Sequence, residues 1–164
     1  MTMNFRTLPL KDCPVLISQM AGLQDYRPQK SYAQSIKKLG EKDSLVSLAM
    51  HRHRVVGCIT ATPAIAFPFL QEKQAFIESV VGDSLERYVV RSTFHVHRDW
   101  VGQRIGTQLD QLVRSEAKSS GFLWCVEFGY ETRQVLSWFR SRPGATSIGL
   151  EDVAGDPVYV SPVV

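Results

Sequence analysis

The sequence has few cysteines, no long apolar run and only a small excess of one charge. The three cysteines, Cys13, Cys58 and Cys125, are odd in number and lie in apolar surroundings, which favours buried free thiols over disulfides or a zinc site. No stretch is apolar for long enough to cross a bilayer, and residues 1–10 lack the pattern of a secretory signal. We therefore expect a cytoplasmic protein with no membrane partner. The net charge of +3 suits a small anionic ligand and is too low to indicate nucleic acid.

The composition is that of an ordinary globular chain. Hydrophobic residues make up 44% and charged residues 21% of 164 residues, which is enough chain to bury a core. We find no repeat, linker or low-complexity segment, so residues 1–164 are predicted to form a single domain. The densest basic run, His51-Arg52-His53-Arg54, lies between two strand-like segments. It is interpreted as a solvated hairpin turn, with phosphate contact as the alternative.

Apolar periodicity predicts a mixed α/β (α+β) architecture with a sheet of about six to seven strands and helices on both faces. The predicted order is strand, two helices, three strands, helix, strand, helix and two strands. The strands are Phe5 to Leu8, Leu45 to Met50, Val55 to Ala61, Arg87 to His97, Phe122 to Phe128, Thr146 to Leu150, and Pro157 to Val163. The first two helices follow Asp12 and Ser31 as N-caps, with Val15 on the apolar face of the first and Gly40 ending the second. The later two span Gln103 to Ser119 and Thr132 to Arg142.

Two stretches of this pattern carry further expectations. In the strand from Arg87, strict alternation places Val90, Ser92, Phe94 and Val96 on one face, and His95 and His97 on the other. The segment Ala64 to Leu85 is rich in phenylalanine and is predicted to be a long excursion with one helical turn. Its rings are expected to shape an acceptor pocket or a homodimer contact, or to extend the core.

The informative stretch runs from Phe94 to Leu109 and combines a strand, a tight loop and the start of a long amphipathic helix. A helix start presents unpaired N–H groups and about half a positive charge, which suits a phosphate or diphosphate. Gly102 allows a sharp turn, and Gly106 removes a side chain where a ligand or a strand must come close. Two glycines alone are weak support, because strand-loop-helix joins often need glycine for packing.

This stretch resembles motif A of the GNAT superfamily of N-acetyltransferases, in which an Arg/Gln-x-x-Gly-x-Gly/Ala loop opens the helix. Val96 matches the strand-end valine, Trp100 the usual aromatic residue, and Ile105-Gly106 the end of the loop. The resemblance implies acetyl-CoA as co-substrate and an amine acceptor. No metal is expected, since His95 and His97 have no evident third ligand. The resemblance also implies that the pantetheine arm contacts Phe94, His95 and Val96. The diphosphate would contact Val101, Gly102, Gln103, Arg104, Ile105, Gly106 and Thr107.

Three positions depart from the family pattern. Val101 stands where the family has Arg or Gln, and Arg104 stands where it has Gly. Arg104 has two interpretations. It is either a solvated residue whose positive charge is unfavourable at the positive end of the helix dipole, or a residue whose guanidinium group binds a phosphate of coenzyme A. In the family, a tyrosine on the later helix commonly protonates the departing thiolate, and the matching position here is Phe139, beside Trp138. Tyr130 is the predicted substitute.

The implied reaction is direct attack of an amine on the thioester. A lysine-like amine has a pKa of ~10.4, so its neutral form costs roughly 4–5 kcal/mol at pH 7, and a base matters more than an acid. Glu127, in an otherwise apolar strand, must be exposed, paired or shifted in pKa, and is the first candidate base; Glu86 is another. Glu78 could also reach the pocket, and His95 and His97 rank below these.

Two other function classes stay open. The first is a GNAT-like module that holds CoA without catalysis, as Phe139 and the altered loop would allow. The second is a phosphate- or nucleic-acid-binding domain that uses His51 to Arg54, against which the modest charge argues. The acceptor itself is not indicated by any motif.

Overall fold

A computed structural model describes residues 2–128 and 144–163, which build a seven-stranded sheet with helices on both faces. The strand order is β1-β2-β3-β4-β5-β7-β6, and neighbours are antiparallel except β4 and β5, which are parallel. The predicted mixed α/β class is therefore confirmed. The strands are β1 (Asn4–Pro9), β2 (Leu45–His51), β3 (Arg54–Pro63), β4 (Tyr88–Val96), β5 (Trp124–Phe128), β6 (Thr146–Glu151) and β7 (Pro157–Pro162).

The helices of the described chain pack on the sheet in three groups. They are α1 (Ile17–Ala21), α2 (Gln29–Gly40), α3 (Pro68–Glu72), α4 (Gln74–Val81) and α5 (Ile105–Ser119). Leu48 of β2 packs with Ile36 of α2, whereas Ile59 of β3 packs with Leu109 on the α5 side of the sheet. A third cluster joins α3 and α4 to β4–β7. No helix of the described residues is both long and apolar enough to span a bilayer.

The first helical region differs from the prediction. Instead of a helix capped by Asp12, two short 3-10 turns, Leu10–Asp12 and Pro14–Leu16, precede the five-residue α1. Val15, expected to face the core, is 82% exposed. Proline has no N–H and restricts the residue before it, so Pro14 starts a new turn and shifts which residues face inward. In α2, the predicted end at Gly40 is confirmed, but Pro28 takes the N-cap position that was assigned to Ser31.

The segment Ala64 to Leu85 is more helical than predicted. It contains a 3-10 turn, then α3 and α4, and Gly82 ends α4 with a φ of 95°. Phe67 and Phe69 each lie 6.0 Å from the ring of Phe128, so they extend the core. The prediction of one helical turn was too low, because phenylalanine and isoleucine at helical spacing form an apolar helix face that packs on the sheet.

Strand β4 contains a bulge that sequence alternation did not reveal. The register pairs Cys58 with His95 and Thr60 with Ser92, so two residues of β4 oppose one of β3. Thr93 has a φ of 50°, a rare conformation for a β-branched residue. The extra residue reverses the alternation. Val90 consequently lies on the α3–α4 face while Phe94 and Val96 lie on the α5 face, and the predicted common face is wrong.

The rest of the chain follows its pattern closely. The helix expected from Gln103 begins at Ile105, and Gly121, with a φ of 90°, follows its end. The hairpin between β2 and β3 and the final strands β6 and β7 are confirmed. All three cysteines are buried free thiols. The predicted helix Thr132 to Arg142 lies outside the described residues.

Candidate active site

A groove of about 860 Å³ lies at the carboxyl end of β4. One wall is β4 with the loop that leads into α5, and the facing wall is the connection between α1 and α2. Of the residues predicted to bind the cofactor, all except Gln103 line it: Phe94, His95, Val96, Val101, Gly102, Arg104, Ile105, Gly106 and Thr107. The volume lies within the range of small-molecule sites.

The loop before α5 turns its backbone through two left-handed residues. Gly102 has a φ of 87°, and a Cβ placed there would meet nothing within 4 Å. Arg104 is the N-cap of α5 with a φ of 60° and a ψ of 15°, and no side chain within residues 2–128 and 144–163 caps the helix. The first amides of α5 therefore retain their donor capacity and the positive end of the helix dipole. This arrangement suits a phosphate or diphosphate.

Gly106 allows the strand to approach the helix. A Cβ at Gly106 would lie 3.0 Å from Cζ of Phe94, so the ring of Phe94 packs directly over the first turn of α5. Beneath the same turn, a Cβ at Gly57 would lie 2.9 Å from Leu109 and 3.1 Å from Ile105. Two glycines thus bring the helix start close to β3 and β4, which positions its amides at the edge of the groove.

The facing wall, residues Gly22 to Tyr26, was not predicted. Gln24 holds it in shape: its Oε1 accepts a hydrogen bond from the Arg27 amide at 2.7 Å, and its Nε2 donates to the carbonyl oxygens of Ala21 and Arg27. Tyr26 projects from this wall and is 56% exposed. A polar segment between two helices carries no motif, so only the tertiary structure shows that it lines the groove.

His95 lies between the two walls and is held by Tyr32. Its Nε2 is 2.7 Å from the Tyr32 hydroxyl, and its ring makes an edge contact with Tyr32 at 5.6 Å. Burial, assisted by the positive charge of Arg27, lowers the pKa of His95 to about 4, and burial raises the pKa of Tyr32. The imidazole is therefore neutral at pH 7, and the bonded tyrosine orients it.

The first candidate base, Glu127, is not at the groove. It is 2% exposed and forms an ion pair with Arg91, which also pairs with Asp110 of α5. Arg114 bonds to Asp110 at 3.2 Å and reaches the oxygen of Pro162, so the network ties α5 to β4, β5 and β7. Burial raises the pKa of Glu127, against the opposing effect of Arg91. The carboxylate in an apolar strand is thus explained by pairing.

Glu86 and Glu78 also lie outside the groove. Glu86 is exposed in the 3-10 turn that precedes β4, and the first six residues of β4, at ~3.3 Å each, stand between that turn and Phe94 at the groove. Glu78 accepts a hydrogen bond from the Leu85 amide, which lowers its pKa and secures the turn after α4. His97 does line the groove, where it also caps the 3-10 turn Arg98–Trp100. Tyr130, Trp138 and Phe139 lie outside the described residues.

No protein-family model matches the sequence, and no curated protein matches it either. Solved structures do match. A GNAT-family N-acetyltransferase of Escherichia coli in complex with CoA superposes with a TM-score of 0.67 at 16% identity, covering 99% of this chain and 82% of that one. An aminoglycoside 6'-N-acetyltransferase complexed with coenzyme A gives 0.65 at 16% identity, with 100% and 98% covered.

A third match, the PaiA N-acetyltransferase of Thermoplasma acidophilum in complex with coenzyme A, has a TM-score of 0.60 at 12% identity, with 99% of both chains covered. At such identities the likeness concerns the fold. The described residues of this chain have the fold of the GNAT acetyltransferases, and the groove lies at the bulged β4 and the start of α5.

Proposed function

We propose that this protein is an N-acetyltransferase that transfers the acetyl group of acetyl-CoA to a primary amine. The observation that supports this most is the loop from Val101 to Thr107. Its two left-handed residues turn the chain into an uncapped helix start at the wall of a groove large enough for an extended ligand. The GNAT fold, seen with coenzyme A in several solved structures, supports the same ligand.

The residues present fit coenzyme A. Amides from Gly102 to Thr107 would hold the diphosphate, and Arg104, exposed at the groove, would add a charged fork. Phe94 and Val96 provide an apolar wall for the pantetheine arm. When bound, the thioester supplies an activated acyl group, and the protein's task is to place an amine beside it.

The proposed acceptor side is the wall from Gly22 to Tyr26, together with His95. A neutral His95, fixed by Tyr32, can accept or donate one hydrogen bond without attracting a second proton. With a pKa of about 4 it is a weak base, so in this proposal it orients the incoming amine. Asp25 is an exposed carboxylate on the groove and would favour approach of a cationic amine.

A second candidate function, CoA binding without catalysis, is favoured by the positions of the predicted bases outside the groove. Glu127 is buried in an ion network and Glu86 lies at the opposite end of β4. A protein that binds CoA as a signal or as an interaction module needs neither. This alternative predicts binding without transfer.

The test has two parts. Titration calorimetry with acetyl-CoA, CoA and a nucleotide lacking pantetheine measures binding. A thiol-release assay over small amines, antibiotics, peptides with free N-termini and lysine peptides then measures transfer. Acetylated product identified by mass spectrometry supports the enzyme. Tight CoA binding with no product from any amine class favours the module, and absence of CoA binding refutes both.

A further inference from the structure

Three basic residues near the groove occupy backbone conformations that favour glycine. Arg52 and His53 form the turn between β2 and β3 with φ of 46° and 67°, and Arg104 has a φ of 60°. A two-residue hairpin turn with positive φ at both positions strongly prefers Asn-Gly, because other side chains clash with the backbone there. The sequence instead places bulky basic side chains at these positions. Such strain is commonly kept where the side chains are needed.

The hairpin tip is available to a ligand. Arg52, His53 and Arg54 are all exposed, and among the described residues none of their side chains makes a hydrogen bond or an ion pair. Two guanidinium groups and an imidazole are thus presented together, and no carboxylate of the described chain is paired with them. The guanidinium fork binds phosphate oxygens in pairs, which makes this tip suited to a phosphate monoester.

The strands that carry the tip are packed against the loop that forms the groove. The ring of His51 lies 4.9 Å from the ring of Trp100, which lines the groove. The His97 amide donates to the carbonyl oxygen of Val56 at 2.8 Å, and Gly57 is paired with Val96. The basic tip and the diphosphate-binding loop are therefore neighbouring parts of one packed unit at the same end of the sheet.

We propose that Arg52 and Arg54 form a phosphate-monoester subsite that binds the ribose 3′-phosphate of coenzyme A. This inference rests on the proposed function, since it assigns the remaining phosphate of the same ligand. Coenzyme A carries its phosphates in two places: a diphosphate that bridges pantetheine to the nucleotide, and a single phosphate on the ribose. Arg104 and the helix start serve the diphosphate, and the hairpin serves the dianionic monoester.

The test compares CoA with dephospho-CoA, which lacks only the 3′-phosphate. The tip variant is Arg52→Asn combined with Arg54→Gln, since asparagine tolerates the left-handed conformation and the turn should keep its fold. The matched control is Lys37→Gln with Lys38→Gln on α2, which also removes two positive charges from exposed positions. Dissociation constants are measured by calorimetry for both ligands, and melting temperatures confirm that all variants fold.

The wild-type protein and the lysine control should bind CoA at least fivefold more tightly than dephospho-CoA, and this preference should decrease as salt increases. The tip variant should lose the preference while its affinity for dephospho-CoA changes less than twofold. Equal affinity of the wild-type protein for the two ligands, or equal weakening of both in the tip variant, overturns the proposal. If neither ligand binds the wild-type protein, the proposed function itself fails.

Discussion

Substitutions of Arg104 can distinguish the effect of backbone strain on stability from the effect of the guanidinium group on ligand binding. It replaces the glycine of the loop pattern, and its φ of 60° is one that glycine adopts freely. Arg104→Gly therefore relieves the strain and removes the guanidinium at once. Arg104→Lys keeps a charge but loses the fork, and Arg104→Glu reverses the charge at the positive end of α5.

Arg104→Gly should change the stability of the protein less than it changes the affinity for CoA. A left-handed non-glycine residue costs about 1–2 kcal/mol, whereas glycine adds about 0.5–1 kcal/mol of unfolded-state entropy. Arg104→Gly should therefore change the free energy of unfolding by no more than about 1 kcal/mol, toward stability, or about 2–4 °C in Tm. A charge-assisted hydrogen bond is worth about 1.5–3 kcal/mol, so CoA should bind about tenfold more weakly or worse.

Calorimetric titration with CoA and thermal unfolding of the four proteins measure both effects. The expected order of affinity is wild type, then lysine, then glycine, then glutamate, with the glutamate variant at least tenfold weaker than wild type. An unchanged dissociation constant in Arg104→Glu removes this residue from the site. A large loss of stability in Arg104→Gly would show that its side chain has a structural role instead.

Three further experiments test the protonation of His95, the ion network of Arg91 and the close packing at Gly106. The pKa of His95 is about 4 in the folded protein and about 6.5 in the unfolded chain, so protonation of His95 favours unfolding. This residue's contribution to the free energy of unfolding is fully present above pH 6.5, and about 3 kcal/mol of it is lost as the pH falls to 4. Urea unfolding should show this loss, and His95→Gln should reduce it. Arg91→Met breaks a buried ion network and should cost about 3–5 kcal/mol. Gly106→Ala adds a Cβ against the Phe94 ring and should cost about 1–3 kcal/mol while weakening CoA binding.

Each of these three predictions can be contradicted by a specific result. Arg98→Met, which removes an exposed pair to Asp99 at 3.9 Å, is the control for Arg91 and should change stability by less than about 1 kcal/mol. Equal effects of the two substitutions contradict a buried network. Identical acid sensitivity in wild type and His95→Gln means that another group titrates. Full CoA affinity in Gly106→Ala means that the ligand does not depend on the approach of Phe94 to α5.

Local chemistry in the sequence determined most elements. The stripe of Ile105, Leu109, Val113 and Ala117 defines α5 by helical spacing, and each of these residues is buried. The run from Val55 to Ala61 is apolar on nearly every position, which is typical of a strand covered on both faces, and all seven of its residues are buried. The strand-loop-helix pattern around Gly102 and Gly106 likewise located the groove, because a tight turn into an uncapped helix needs glycine locally.

Tertiary structure decided what depends on pairing across the chain. The bulge at Thr93 appears only when β3 and β4 are aligned, and it determines that Phe94 lies on the α5 face of the sheet although Val90 lies on the α3–α4 face. Glu127 looks identical in sequence whether it faces solvent, a substrate or Arg91, since its partner is 36 residues away. Composition and periodicity report on near neighbours, whereas the protonation state of a carboxylate or an imidazole is determined by groups that only folding brings into contact.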